Sequence, residues 1–450
     1  EYHPDRVISL PSAPIEPTFP LFSGFLQATD NNTEYKLFYV LCEAVRANPS
    51  DAPLIVWLNG GPGSSSLFGM FLGHGPYLLD AETLQLHYNE FSWNQYANVL
   101  YLESPSGVGF SHSNATSQPY NDISTAKINR KALQDFMTRV HPRYASRNFY
   151  ITGESYAGVY VPYLAREILQ HTQSGGFTNS NFRGIAMGNA HVDNFSEDVA
   201  SALQLYSLGM IAEKYGVELF EAWAKIITGN HDIRISPELE DQFLEAKYNR
   251  IGGKAVYNMQ LQCNHNMSPE KWHVRKSVRI AECVPESLLQ YYLNRKDVQI
   301  RLNARTVDQS AVRWRMHSDA IFFNYVKEAD TVPIYKDIFA LVQADFRILF
   351  YTGDMDLICP PLQVAYGGRR IAEQNGMTEV ETLHWMYLND HGGARTSYIS
   401  NDGRMSLDVL TVRGSSHSVA VTNPDRAFQL INNFVSAEPR TEIDYSKLIP

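Results

Sequence analysis

Short, unbroken apolar runs alternate with longer amphipathic stretches along most of this chain, and that alternation predicts a mostly parallel sheet with helices packed on its faces. Pro53-Leu54-Ile55-Val56-Trp57-Leu58 is apolar at every position, as a strand covered on both sides must be. Ala97 to Leu102, Phe149 to Ile151, Phe346 to Tyr351 and Leu407 to Val412 read the same way, and helices are predicted from Ile123 to Val140, Val159 to Gln170 and Pro424 to Val435. Near the start, Phe22 to Leu26 and Tyr35 to Leu41 flank the turn Asp30-Asn31-Asn32 and read as an antiparallel hairpin at a sheet edge. From about Ser196 to about Arg315 the pattern becomes polar, helical and broken, as expected of an insertion forming a lid. The chain therefore divides into a first part of an α/β core at 1–195, a lid at 196–315, a second part of the core at 316–437, and a polar tail at 438–450 expected to be loosely held.

The chemistry-bearing residues cluster just after the predicted strands. In Phe149-Tyr150-Ile151-Thr152-Gly153-Glu154-Ser155-Tyr156-Ala157-Gly158 a strand runs through a turn into a helix. There Ser155 can project its hydroxyl as a nucleophile, or simply cap the helix. Asn59-Gly60-Gly61-Pro62-Gly63-Ser64-Ser65-Ser66 follows another strand and lacks both the Gly-Lys-Ser/Thr ending of a phosphate loop and the G-x-G-x-x-G of a dinucleotide site. Beyond serving as a glycine turn, it offers the N–H of Gly61, which with that of Tyr156 would make a two-donor oxyanion hole. Later strand ends carry Asp354, Asp356 and His417, giving the order Ser…Asp…His that α/β-hydrolases use. Strand position does not separate Asp354 from Asp356. His391, the competing base, reads as part of a loop before the last strand.

Composition narrows the classes. The chain has 450 residues, 44% of them apolar, enough for a large core, and a formal charge of −10 without a basic run argues against nucleic acid or an anionic membrane surface as partner. No apolar stretch approaches the roughly 18 residues that span a bilayer. The chain opens Glu1-Tyr2-His3-Pro4, without a signal peptide, and reads as a mature or excised segment. Asn31, Asn114, Asn194 and Asn266 begin N-glycosylation triplets if the chain enters the secretory pathway. The four cysteines are too few for a disulfide scaffold and have no zinc spacing, so neither metal nor cofactor is expected. Cys263 and Cys283 could close a helical, loop-rich region with a bridge, stabilising it by ~3 kcal/mol. Cys42 reads as a small buried hydrophobe, and Cys359 follows Asp356 closely. Homodimerisation is left open.

Taken together, Phe22 to Leu26, Trp57 to Ser66, Glu103 to Ser111, Gly153 to Gly158, Gly353 to Ile358 and Val412 to His417 resemble the serine carboxypeptidase family across nearly the whole chain. The resemblance implies an α/β-hydrolase fold, with a mostly parallel central sheet, helices on both faces and a helical lid. It selects Asp356 over Asp354 as partner of His417 and implies removal of single residues from peptide or protein C-termini. Acid pH and a lysosomal, vacuolar or secreted location are implied as well. It assigns the substrate's terminal carboxylate to Asn59, Gly60 and Glu154, and Cys359 to the leaving-group side of the cleft. A free thiol there would make the protein mercurial-sensitive; an inert buried cysteine is the alternative. Glu154 can bind an anion only when protonated, a state that acid pH supplies.

The chain departs from the family pattern in its details. Ser64 stands where the family has a disulfide-forming cysteine, Gly73 where it has a glutamate supporting the carboxylate site, and Ser416 where a glycine precedes the base. Ala157 replaces the last glycine of the G-x-S-x-G pattern. An acyltransferase or esterase on the same triad, and a binding domain retaining the triad by descent, are the competing readings.

Overall fold

The computed structural model describes residues 3–14, 16–80, 83–114, 120–230, 233–250, 256–259, 286–305, 313–438 and 442–449. Among them, a 12-stranded sheet runs in the spatial order Arg6–Val7, Leu21–Asp30, Thr33–Cys42, Asn98–Leu102, Leu54–Leu58, Phe149–Glu154, Phe182–Gly188, Phe346–Gly353, Met405–Val412, Asp390–Ile399 and Thr378–Tyr387, with His112–Ser113 added against Thr33–Cys42. The middle of that order, from Asn98–Leu102 to Met405–Val412, is parallel throughout. Antiparallel strands flank it on both sides. This is an α/β-hydrolase fold.

The continuous apolar runs follow from coverage of both faces. Leu54, Val56 and Leu58 pack with helices Asp122–Asp135, Ala157–Gln173 and Ile334–Leu341, while Ile55 and Trp57 pack on the opposite face with helix Pro424–Ser436 and the turn Gly69–His74. Between the neighbouring strands Phe182–Gly188 and Phe346–Gly353, the described elements are all helical. Helices Asn194–Ser207, Gly216–Ile227 and Pro237–Leu244 close a third apolar cluster with Leu357 and Tyr366.

Two expectations need correction. His391 lies in strand Asp390–Ile399, not in a loop, and is exposed beside His384, with ring centroids 5.2 Å apart. That hairpin escapes the pattern because it sits at the sheet edge with much of its surface in water. Its Gly392 reads as a loop residue, yet a Cβ there would meet the buried Trp385 ring at 2.4 Å. The tail is also held rather than loose. Ile443 and Tyr445 are buried, the Tyr445 hydroxyl donates to Asp408 at 3.0 Å, and Gln429 donates to the Tyr445 carbonyl at 2.7 Å. Two apolar side chains in a polar segment were enough to anchor it.

Cys42 is buried in its strand, as expected. Asn31, Asn114 and Asn194 are exposed, whereas Asn266, Cys263 and Cys283 lie outside the described residues. No described helix is long and apolar enough to cross a membrane.

Candidate active site

Every strand of the parallel centre ends on the same rim, where open α/β sheets bind their ligands. Ser155 follows strand Phe149–Glu154 with φ +65°, a left-handed conformation that a non-glycine residue adopts only where its surroundings enforce it. Its N–H donates to the Gly188 carbonyl at 3.0 Å and its carbonyl accepts from His191 N–H at 3.0 Å, so the turn is held at both ends. The glycines around it mark close approaches. A Cβ on Gly153 would lie 2.5 Å from the Ala157 Cβ, and one on Gly158 would lie 2.4 Å from the His191 carbonyl oxygen. The second tight contact therefore falls on Gly158, which explains why Ala157 is tolerated two residues after the serine.

The glycine-rich loop presses directly on this turn, since a Cβ on Gly60 would lie 2.4 Å from the Tyr156 nitrogen. Tyr156 heads helix Ala157–Gln173, and among the described residues neither its N–H nor that of Gly61 donates to a protein acceptor. Two uncommitted amides at a helix N-terminus can receive a developing negative charge. The Tyr156 phenol meanwhile donates to Asp122 at 3.0 Å, and its ring lies beside that of His191, with centroids 5.9 Å apart.

Asp356 and His417 meet across adjacent strand ends, with His417 Nδ1 to Asp356 Oδ2 at 2.6 Å. Asp356 is fully buried and collects three further donors: Asn189 Nδ2 at 2.9 Å, Cys359 N–H at 3.0 Å and Ile358 N–H at 2.9 Å. Asp354, which sequence position could not distinguish from it, accepts instead from Gly414 N–H at 2.7 Å. With Nδ1 on the carboxylate, Nε2 is the nitrogen left to exchange a proton with a nucleophile. Cys359 is free and buried, and burial, helped by the Asp356 charge, pushes its thiol well up. Ligand atoms of Asp356, Cys359 and His417 lie within 4.8 Å of one another, so a soft cation could bridge them. Such an ion would compete with the hydrogen bond that orients His417 and with a thiol that resists ionisation.

The remaining predicted residues are each held by their own neighbours. Asn59 accepts from Trp57 Nε1 at 2.8 Å and Gly69 N–H at 3.1 Å, both through Oδ1, which turns its NH2 group away from those partners as a free donor among the described residues. Glu154 is buried and accepts from Ser418 Oγ at 2.9 Å. Where the family cysteine is missing, Ser64 Oγ is 2.7 Å from His317 Nδ1, and backbone bonds from Ser65 to Met316 and from Ser318 to Gly63 pin the returning chain to the glycine-rich loop. Gly73 is buried, and Ser416 Oγ accepts from Ser418 N–H at 3.2 Å, bracing the loop that carries the base.

Glu103 supports the same loop from below. It is fully buried and accepts from the Ser65 hydroxyl, from Phe110 N–H at 2.7 Å and from Trp314 Nε1 at 2.9 Å. Burial pushes its carboxyl up from an ordinary 4.5 to about 7, against the pull of these donors. Between those values the native state holds a proton that the unfolded chain has released, so this group costs stability as pH rises through the window, by about 3 kcal/mol. Calorimetry should find the midpoint temperature falling from pH 4.5 to pH 7, with this component missing in Glu103→Gln. An unchanged slope in the variant would count against it.

Four contributors were not singled out from sequence: Asn189 on Asp356, Trp57 on Asn59, Ser418 on Glu154, and Tyr257. The Tyr257 carbonyl accepts from His417 N–H at 2.8 Å and its ring lies 5.1 Å from the imidazole. Asn189 carried a usable signal, since it too follows a parallel strand. Tyr257 carried none, because it comes from a remote, irregular stretch.

Comparison with known proteins identifies what the whole chain is similar to. A family model described as serine carboxypeptidase matches residues 11–437. Serine carboxypeptidase-like 45 of Arabidopsis thaliana is 33% identical, covering 98% of this chain and 94% of that protein. Serine carboxypeptidase ctsa-3.1 of Caenorhabditis elegans is 30% identical over 98% and 90%, and the lysosomal protective protein of Mus musculus 28% over 97% and 94%. Among solved structures, the prohormone-processing carboxypeptidase Kex1 from Saccharomyces cerevisiae superposes with a TM-score of 0.72 at 19% identity, covering 95% of this chain and 93% of that one.

Proposed function

Because the chain belongs to the serine carboxypeptidase family, we propose that it releases single amino acids from peptide C-termini through an acyl-enzyme on Ser155, working best at acid pH. Ser155 attacks the last peptide carbonyl while His417 takes its proton through Nε2, and Asp356 stabilises the imidazolium that forms. The N–H groups of Gly61 and Tyr156 receive the oxyanion. His417 then protonates the departing amine, and water resolves the acyl-enzyme by the same steps in reverse.

The observation that carries the exopeptidase reading is the placement of Asn59 and Glu154 against the nucleophile's turn. Asn59 presents an oriented NH2, and Glu154 immediately precedes Ser155. A carboxylate entering a partly buried site must find donors, and Glu154 supplies one only when protonated. Gly60 contributes a backbone N–H and Cys359 lines the leaving-group side. Acid operation fits a protein of the secretory pathway, in lysosomes, vacuoles or secretions.

The test uses N-blocked dipeptides, their C-terminal amides and small esters at pH 4–7. Release of a free C-terminal amino acid, with acids preferred over amides at the low end, is expected. Ester cleavage or acyl transfer alone would replace the peptidase with the esterase or acyltransferase. No turnover and no labelling by a fluorophosphonate would leave a binding domain.

A further inference from the structure

The carboxylate site is built without the second acid that its family resemblance leads one to expect. Gly73 lies buried on the turn Gly69–His74, and among the described residues a Cβ there would meet Ala420 Cβ at 3.8 Å and Val421 Cγ2 at 3.9 Å, both apolar. A polar partner of Glu154 comes instead from the loop that carries His417. Ser418, 5% exposed and next to His417, donates its hydroxyl to Glu154 Oε1 at 2.9 Å. Ser418 is itself held in place, because its N–H donates to Ser416 Oγ at 3.2 Å and the Ser416 hydroxyl donates back to the Ser418 carbonyl at 3.2 Å. Thr422 Oγ1 completes the brace, donating to Ser416 Oγ at 3.3 Å.

We propose that Ser418 is the positioning and specificity-determining residue of the terminal-carboxylate site, replacing an acid partner with a hydroxyl donor and thereby setting the pH above which a free C-terminus is no longer preferred. The inference rests on the reading that Glu154 binds the substrate carboxylate. A hydroxyl that donates to Oε1 fixes that oxygen as an acceptor, so a protonated Glu154 carries its proton on Oε2. The same bond favours the ionised form of Glu154, whereas a neighbouring carboxylate would have favoured the protonated one. Free-carboxylate capture is therefore confined to more acid conditions than a paired-acid site would allow.

Two described neighbours of Glu154 do not supply this effect. The Tyr351 hydroxyl and the Cys359 thiol both feel the Glu154 charge, and burial holds both neutral. On the turn 69–74 the titratable group is His74, pushed down to about 3 by burial and so uncharged. Asn59, on the glycine-rich loop, carries no charge. His417, next to Ser418, takes part in the chemistry of substrates with and without a terminal carboxylate alike, so its catalytic contribution cancels in their ratio.

That last point defines the measurement. The ratio of kcat/KM for an N-blocked dipeptide acid to that for its C-terminal amide, which share one scissile bond, is followed from pH 4 to 8. In the native protein the ratio should fall with rising pH. In Ser418→Ala its midpoint should move upward by about one pH unit, and Ser418→Thr, which keeps the hydroxyl, should restore the native position. Fluorophosphonate labelling of Ser155 reports whether each variant is folded. If the alanine variant does not fold, Ser418→Cys, a weaker donor, should give a smaller upward shift. An unchanged midpoint in a folded variant lacking the hydroxyl overturns the proposal. Glu154→Gln separates the two levels of inference: a ratio that becomes independent of pH supports Glu154 as the titrating group, so an unmoved Ser418 variant then sinks only the role of Ser418. A ratio that still falls in Glu154→Gln removes the carboxylate reading and this inference with it.

Discussion

Ser155→Ala is expected to lower kcat/KM for an N-blocked dipeptide by about 10⁴- to 10⁶-fold. On the proposed mechanism the substitution removes the atom that forms the acyl bond and changes little else. Ser155 is held by backbone bonds to Gly188 and His191, which alanine retains, so thermal stability should stay close to native. Residual turnover would come from the amides of Gly61 and Tyr156 and from substrate positioning. Steady-state kinetics beside fluorophosphonate labelling check the result. A loss of only a few fold would mean that another group carries the nucleophilic step.

Asp356→Asn should cost about 10⁴-fold in kcat with KM little changed. The aspartate oxygens accept from Asn189, Ile358 N–H and Cys359 N–H as well as facing His417. An asparagine there must set its NH2 against one of these donors or against the imidazole N–H. The first choice, with the NH2 facing Ile358, keeps the tautomer but leaves two donors opposed; the second, with the NH2 facing the imidazole, moves the ring proton to Nε2, and neither supplies the negative charge that stabilises the imidazolium. Because Asp356 is buried, the mismatch has no water to relieve it, and stability should fall by about 1–3 kcal/mol as well. Asp354→Asn is the contrast. Its carboxylate braces Gly414 rather than His417, so kcat should change far less, and comparable losses in the two variants would argue against the assigned partnership.

The parallel centre of the sheet was legible because two-sided burial forces apolar residues at every position, as in Leu54–Leu58. The residues around Ser155 were legible for a related reason: each chemical group follows a strand, and strands were what the pattern disclosed. What stayed hidden lacks such a marker. The edge hairpin carrying His391 keeps much of its surface in water, and its glycines serve close packing rather than turning. Asp356 could not be separated from Asp354 by position alone, since a difference of two residues at a strand end decides which carboxylate points along the rim. Ser418 was invisible for another reason. Its significance depends on Glu154, and nothing local to either residue announces the pairing.

That pairing also says something about assembly of the molecule in time. Ser418 and Glu154 are 264 residues apart in sequence, and Asp356 likewise meets His417 and Asn189 only through tertiary contact. Helices and the first hairpin can form from local contacts, but the site closes only when the last third of the chain has docked beside the first. Closing long loops adds entropy slowly with length, yet it delays every contact that depends on it. The Ser418–Glu154 contact is therefore among the last that the folding chain acquires, after most of its secondary structure is in place.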